Sequence, residues 1–228
     1  MLENLIENVD YEWVELPSKG ECYPHKKSRV PVGYLRAIDE NIMVSSKYIL
    51  SQTVCDELLR LKILDKDFNP DTLCVGDRNA ILVWLRRTGY SDTIVNPTTN
   101  QEIDLSTLKY KDFNLKGDEN GYFSYLLDNG DVIKYRLLTH SDEQGIIEKL
   151  KDNTDEMETA IMLECIVSYN GSESKSEIKE YIHNLSEMQT ENFLKYIITT
   201  NPDIDFNGID IAIDDSLFTE LNKINSFE

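Results

Sequence analysis

Three kinds of residue in this 228-residue chain have types and spacings that could support chemistry. Cys22 and His25 stand as Cys-x-x-His, the spacing of half a zinc site, but no second Cys/His pair follows nearby. A closed tetrahedral site needs four ligands, so Cys22 reads as a turn residue. Gly76-Asp77-Arg78 opens an apolar run and invites an anion site at a helix N-terminus, where free backbone N–H groups point outwards. Asp77 would repel an anion there. Acidic pairs at Asp39-Glu40, Asp142-Glu143 and Asp214-Asp215 are the residue type for general acid–base work, yet each opens a helical pattern, where the helix dipole favours a carboxylate. His140 and His183 fall at a strand-to-helix junction and on an amphipathic helix. Neither Gly-x-Ser-x-Gly nor a phosphate-binding glycine pattern occurs. These residues argue against an enzyme, and no catalytic, cofactor-binding or metal-ligating residue is assigned. A hydrolase using an acidic dyad is the enzymatic alternative.

The element best placed to organise the rest is the run Leu73–Tyr90. Asp77 is expected to cap a helix over 77–88, with Gly76 ending what precedes it. Ala80 to Leu85 are all apolar and, at about 100° per residue, cover every side, so this helix is expected to be central and buried. Only Asn79 and Arg86, seven apart on one face, interrupt the girdle; they read as internal polar bracing. The structural or interaction candidates are Asp77, Arg78, Asn79, Trp84, Arg86, Asp142 and Glu143.

Upstream, residues 10–16 alternate as a strand with Tyr11, Trp13 and Leu16 turned inward, until Pro17–Pro24 enforces turns. A second strand covers Val30–Arg36. Helices are expected from Asp39 to about Leu50 and over Val54–Leu64, the latter burying Val54, Leu58, Leu59 and Leu61. Downstream, Thr93–Val95 and Glu102–Leu105 flank a turn at 96–100, and 122–138 form a hairpin around Asn129-Gly130, both with positive φ. Helices follow over Asp142–Lys151, Asp155–Tyr169, Ser174–Leu185 and Glu187–Thr199. The last opens with the capping box Ser186/Gln189 and buries Phe193, Leu194, Ile197 and Ile198. Ile209, Ile211 and Ile213 alternate as a final strand, before a short helix or docked tail carrying Leu217, Phe218, Leu221 and Ile224.

The fold class expected is α+β, with small antiparallel hairpins around a buried central helix and a mainly α-helical C-terminal half. An α+β region over 1–140 and an acidic helical region over 141–228 are expected to pack as one compact unit. Val32–Glu40 and Ile133–Glu143 read alike, each a strand running into an acid-capped helix. Duplication and shared strand-to-helix grammar both account for the likeness.

Charge narrows the partners. Of the net −19, residues 141–228 supply −14, with 20 acidic against 6 basic side chains. Such a field repels nucleic-acid phosphate and anionic lipid and favours a basic partner. No apolar run approaches the ~20 residues needed to cross a bilayer. The start, Met1-Leu2-Glu3-Asn4, lacks the basic-then-apolar form of a signal peptide, and four scattered cysteines suit buried thiols in a reducing compartment. A cytosolic protein is expected. An acidic inhibitor or nucleic-acid mimic is the alternative binding function; it requires carboxylates spaced like phosphates.

Four stretches in order resemble the baseplate protein family of T-even-type contractile-tailed phages, which includes hub subunits and hub-assembly factors. They are Leu16-Pro17-Ser18-Lys19-Gly20 with Tyr23-Pro24, Val30–Glu40, Val75–Leu82 with Arg86 and Gly89-Tyr90, and Tyr135–Glu143. Members of that family often carry zinc-ribbon-like Cys-x-x-Cys pairs. The corresponding places here read Asn96-Pro97-Thr98-Thr99-Asn100 and Ile213-Asp214-Asp215-Ser216-Leu217, so the resemblance implies lost zinc sites and no cofactor. It further implies a tail baseplate protein that binds other hub or tail proteins, with no nucleic acid, membrane or small-molecule substrate. Its expected place is the host cytoplasm during assembly and, if retained, the virion baseplate.

Overall fold

The computed structural model describes residues 9–96, 101–150, 156–206 and 213–219. These form an α+β fold of small antiparallel sheets and helices. The chain divides into two compact units, Met1–Pro17 with Arg29–Lys111 and Asp203–Glu228, and Ser18–Ser28 with Asp112–Pro202. The composition break at residue 140 falls inside the second unit.

In the first unit, β1 (Tyr11–Glu15) pairs antiparallel with β2 (Arg29–Gly33). Alternation puts Val14, Val30 and Val32 in the core. Tyr11 and Trp13 therefore face outwards, 36% and 44% exposed, against the expectation that their aromatic rings turn inward. A 3-10 turn at Ala37–Asp39 leads into α1 (Glu40–Met43), α2 (Ser46–Ser51) and α3 (Val54–Lys62). The single helix expected from Asp39 to Leu50 is thus broken at Val44-Ser45. Helix α3 buries Val54, Leu58 and Leu59 but leaves Leu61 exposed, and the chain then returns beside β2, where Leu64 N donates to Pro31 O at 3.0 Å.

Helix α4 (Val75–Gly89) starts earlier than expected, with Cys74 at the cap position. Gly76 and Asp77 accordingly lie inside its first turn. Ala80, Ile81, Leu82, Val83 and Leu85 are buried, while Trp84 is half-buried. Strands β3 (Thr93–Val95) and β4 (Glu102–Asp104) form the next hairpin; its turn at 97–100 lies outside the described residues. Strand β5 (Lys109–Tyr110) follows.

In the second unit, β6 (Phe123–Leu126) and β7 (Val132–Tyr135) make the hairpin expected over 122–138. Gly130 (φ 89) is its left-handed residue; Asn129 does not share that conformation, because the loop closes through Gly130 N to Leu127 O (2.9 Å) and Leu127 N to Asp131 O (2.9 Å). Helices α5 (His140–Leu150) and α6 (Met157–Cys165) follow. The helix expected through Tyr169 stops at Cys165: Ile166-Val167-Ser168-Tyr169, rich in β-branched and aromatic side chains, becomes β8 (Ile166–Tyr169) and pairs with β7. Helices α7 (Lys175–Asn184) and α8 (Glu187–Thr200) complete this unit. The Ser186/Gln189 capping box is formed, and Phe193 and Leu194 are buried, but Ile198 is 70% exposed. The ring of Tyr135 lies 5.7 Å from both Phe123 and Phe193, so this sheet and α8 share an aromatic core.

Back in the first unit, β9 (Ile204–Asp205) pairs with β5, and α9 (Ser216–Thr219) buries Leu217 and Phe218. Most of the strand expected at Ile209–Ile213 lies outside the described residues, as do Leu221 and Ile224. No described helix is long and apolar enough to cross a membrane.

The units share an order of elements: a hairpin, a helical stretch, then a return segment antiparallel to the hairpin's second strand. Both strand-to-helix junctions are closed in the same way. Asp39 Oδ2 accepts from Arg36 N at 2.7 Å, and Asp142 Oδ2 from Thr139 N at 2.8 Å, each across three residues.

Candidate functional site

Five of the seven candidate residues lie on α4, within the first unit. Asp77 and Arg78 occupy its first turn and are buried. Arg78 Nη2 donates to Asp56 Oδ1 at 3.0 Å, tying α4 to α3. Asn79 Nδ2 donates to Asp203 Oδ1 (3.3 Å), beside β9. At the other end, Arg86 is buried without a carboxylate: its Nη1 and Nη2 donate to Ser91 O (3.0 Å) and Thr93 O (3.4 Å), and its guanidinium lies 5.3 Å from the Tyr90 ring. Burial lowers its pKa, as expected for a cation taken out of water. A cation at a helix C-terminus also complements the dipole, so Arg86 fastens α4 to the turn entering β3.

Trp84 lies between these ends and lines a cleft of about 320 Å³. The floor is Ala80, Val83, Leu105 and Ile204; Trp84 and Tyr110 wall it, and Arg87 and Lys109 stand among its polar groups. Both walls are fixed. The Trp84 ring rests 5.2 Å from Tyr34, and the Tyr110 hydroxyl donates to Glu15 O at 2.9 Å. Burial, with Asp77 and Glu15 nearby, raises the Tyr110 pKa and keeps its proton on. Arg87 Nε donates to Asp92 Oδ1 at 2.8 Å. The described lining has no carboxylate, histidine or thiol, and its chemistry is that of a seat for an apolar or aromatic group.

Asp142 and Glu143 belong to the second unit and do not join this cluster. Burial alone would raise the Asp142 pKa. The Arg136 guanidinium, donating at 2.5 and 2.9 Å, and the N–H and hydroxyl of Thr139 outweigh it and hold the carboxyl at about 2. A carboxyl depressed in the fold stabilises above its unfolded pKa and loses that contribution as pH falls through its folded one. About 2 kcal/mol is therefore expected to disappear between pH 4 and pH 2, and Asp142→Asn should remove that part of the acid limb. Urea titrations of both proteins across this range measure it. Glu143, half-buried, has His140 Nδ1 at 4.0 Å.

Cys22 and His25 form no ligand pair. His25 stacks on Tyr23 at 5.0 Å, and its Nδ1 accepts from Lys27 N at 3.1 Å. Burial raises the Cys55 thiol pKa and pushes that of Cys165 up to about 12, which keeps both protonated. Among the described residues no three His, Cys, Asp or Glu side chains gather as metal ligands.

Set against family models, curated proteins and solved structures, the chain matches none of them.

Three important contacts have no local sequence signal. Lys62 forms a buried ion pair with Asp39, and Arg136 grips Asp142. Asp215 accepts from Val54 N (3.0 Å) and Cys55 N (2.8 Å), capping α3 from far along the chain. Asp215→Ala is expected to cost about 1–2 kcal/mol in thermal or urea unfolding, as loss of a helix cap does.

Proposed function

We propose that this chain is a structural or assembly protein of a phage tail baseplate hub and that it works by binding other hub or tail proteins. The supporting observation is the ordered set of motifs, whose distinctive residues hold local geometry. Gly20 turns at φ 79, Asp39 and Asp142 close strand-to-helix junctions, and Arg78 and Arg86 fasten the two ends of α4. A scaffold so braced, with aromatic groups around a cleft and on an exposed strand, suits presentation of surfaces to partners. Its acidic excess favours basic ones.

Co-expression with the hub, tail-tube and tape-measure-adjacent proteins of the same genome is the test. A stoichiometric complex with at least one of them is expected on gel filtration. Failure to co-purify with all of them, with the fold intact by circular dichroism, would remove the reading. Mass spectrometry of purified particles then separates a retained subunit from a departing assembly factor.

A further inference from the structure

Pro31 reveals which way the backbone of β1 faces. It lies opposite Trp13, and its carbonyl accepts from Leu64 N, on the side away from β1. In an antiparallel pair, residues bonded to each other alternate with residues whose N–H and C=O point away. Tyr34 N donates to Asp10 O at 3.0 Å, so Glu12:Val32 and Val14:Val30 are the bonded pairs. Tyr11, Trp13 and Glu15 then direct their backbone groups off the outer edge. Glu15 agrees, since its carbonyl accepts from the Tyr110 hydroxyl. Among the described residues β1 pairs with β2 alone, and the backbone groups of Tyr11 and Trp13 take no hydrogen bond on the outer side.

This edge also carries the side chains expected of a binding surface. The Tyr11 ring meets Trp13 edge-on at 6.3 Å, and the Arg29 guanidinium lies 4.8 Å over the Trp13 ring. Tyr, Trp and Arg are the residues that most often carry interface energy. Charge selects the occupant: Asp10, Glu12 and Glu15 are exposed, and β1 has no cation of its own. Like charges facing across paired strands are unfavourable, which disfavours a second copy of β1 and favours a basic strand.

We propose that the outer edge of β1 accepts, by strand addition, an extended segment of a partner in which Lys or Arg alternates with apolar residues. The apolar side chains lie on Tyr11 and Trp13, and the bases meet Asp10 and Glu12 on the opposite face. This rests on the reading that the chain acts by binding proteins, and it adds the surface and the partner's chemistry.

The test titrates the full-length, 15N-labelled protein with the blocked peptide Lys-Val-Lys-Val-Lys-Val and with its Glu-Val counterpart. The Lys-Val peptide is expected to shift the Tyr11 and Trp13 amide signals and slow their solvent exchange, with the Glu-Val peptide at least tenfold weaker. Tyr11→Pro removes an outward N–H and leaves the β1–β2 bonds, so it should weaken Lys-Val binding at least tenfold while Tm stays near the wild type. Should that variant unfold, the exposed Trp13→Ala serves instead, with the same expected loss. No binding of the Lys-Val peptide, equal binding of both peptides, undiminished binding by a folded variant, or self-association through β1 overturns the proposal. Hub proteins that co-purify undiminished with a folded variant sink the strand-edge proposal and leave the hub function standing. Hub proteins that never co-purify, while the peptide binds at Tyr11 and Trp13, sink the hub function and leave the edge.

Discussion

Lys62→Ala is expected to lower the unfolding free energy by about 3–5 kcal/mol, the range for breaking a buried ion pair at one partner. Lys62 and Asp39 are each only 2% exposed, and their charged groups are in contact. Lys62 Nζ also donates to Tyr34 O at 3.0 Å, and Asp39 Oδ2 accepts from Arg36 N at 2.7 Å. Removing the ammonium strands a buried carboxylate with too few donors and frees a carbonyl. The pair itself need not be favourable overall, because both charges were desolvated to form it. Hence Asp39→Leu combined with Lys62→Met should lose less than Asp39→Leu or Lys62→Met alone, giving a coupling energy of at least about 1 kcal/mol in a double-mutant cycle. Urea unfolding with unchanged m-values supplies all four terms. A loss below about 1 kcal/mol for Lys62→Ala would mean that water reaches the pair and that it does not fasten α3 to the 3-10 turn.

What could be read from the sequence follows from the range of each interaction. The apolar girdle Ala80–Leu85, the Ser186/Gln189 box and the alternation around Gly130 act within one or two turns of chain, and α8 and the β6–β7 hairpin stand where those signals put them, as does α4 apart from its start at Val75. Cross-chain effects left no such mark. The β-branched run after Cys165 continued an apolar helical pattern on paper and became a strand because β7 offered it an edge. Alternation in residues 10–16 does not by itself say which face is inward; the register that buries Val14 turns Trp13 outward. Likewise α4 was legible as a hub, whereas the cleft on it needed Leu105, Tyr110 and Ile204, brought in by short segments without periodicity. The strand-to-acid likeness did extend further than its letters. Both junctions close a carboxylate onto an N–H three residues back, and both units return a segment along the preceding hairpin, which simple strand-to-helix grammar does not require.

Gly121→Ala should cost about 2–5 kcal/mol, whereas Gly130→Ala should cost only about 1–2 kcal/mol, and the difference isolates packing from backbone preference. Both glycines have left-handed φ, 82 and 89 respectively, so both substitutions carry the penalty of about 1–2 kcal/mol for an L-residue there. At Gly130 an added Cβ meets nothing within 4 Å. At Gly121 it would stand 2.2 Å from Cys22 O, a backbone atom that cannot swing aside. The contact is one of three in the second unit: a Cβ at Gly117 would come 2.1 Å from Glu21 O, and one at Gly20 2.4 Å from Lys27 O. The segments 18–28 and 112–122 therefore lie backbone against backbone, with Glu21 as their electrostatic clasp. Its carboxylate accepts from Lys116 Nζ (2.8 Å), Gly117 N (3.2 Å) and Lys26 Nζ (3.3 Å), and the Lys116 bond does most to lower its pKa, against the opposing effect of burial. Overpacking such an approach forces the two loops apart, adding roughly 1–3 kcal/mol. Equal losses for the two variants in urea unfolding would show that the loops separate freely. A larger loss at Gly121 would give the Leu-Pro-Ser-Lys-Gly and Tyr-Pro motif a physical reason: it shapes a loop whose carbonyls accept a second backbone at closest approach.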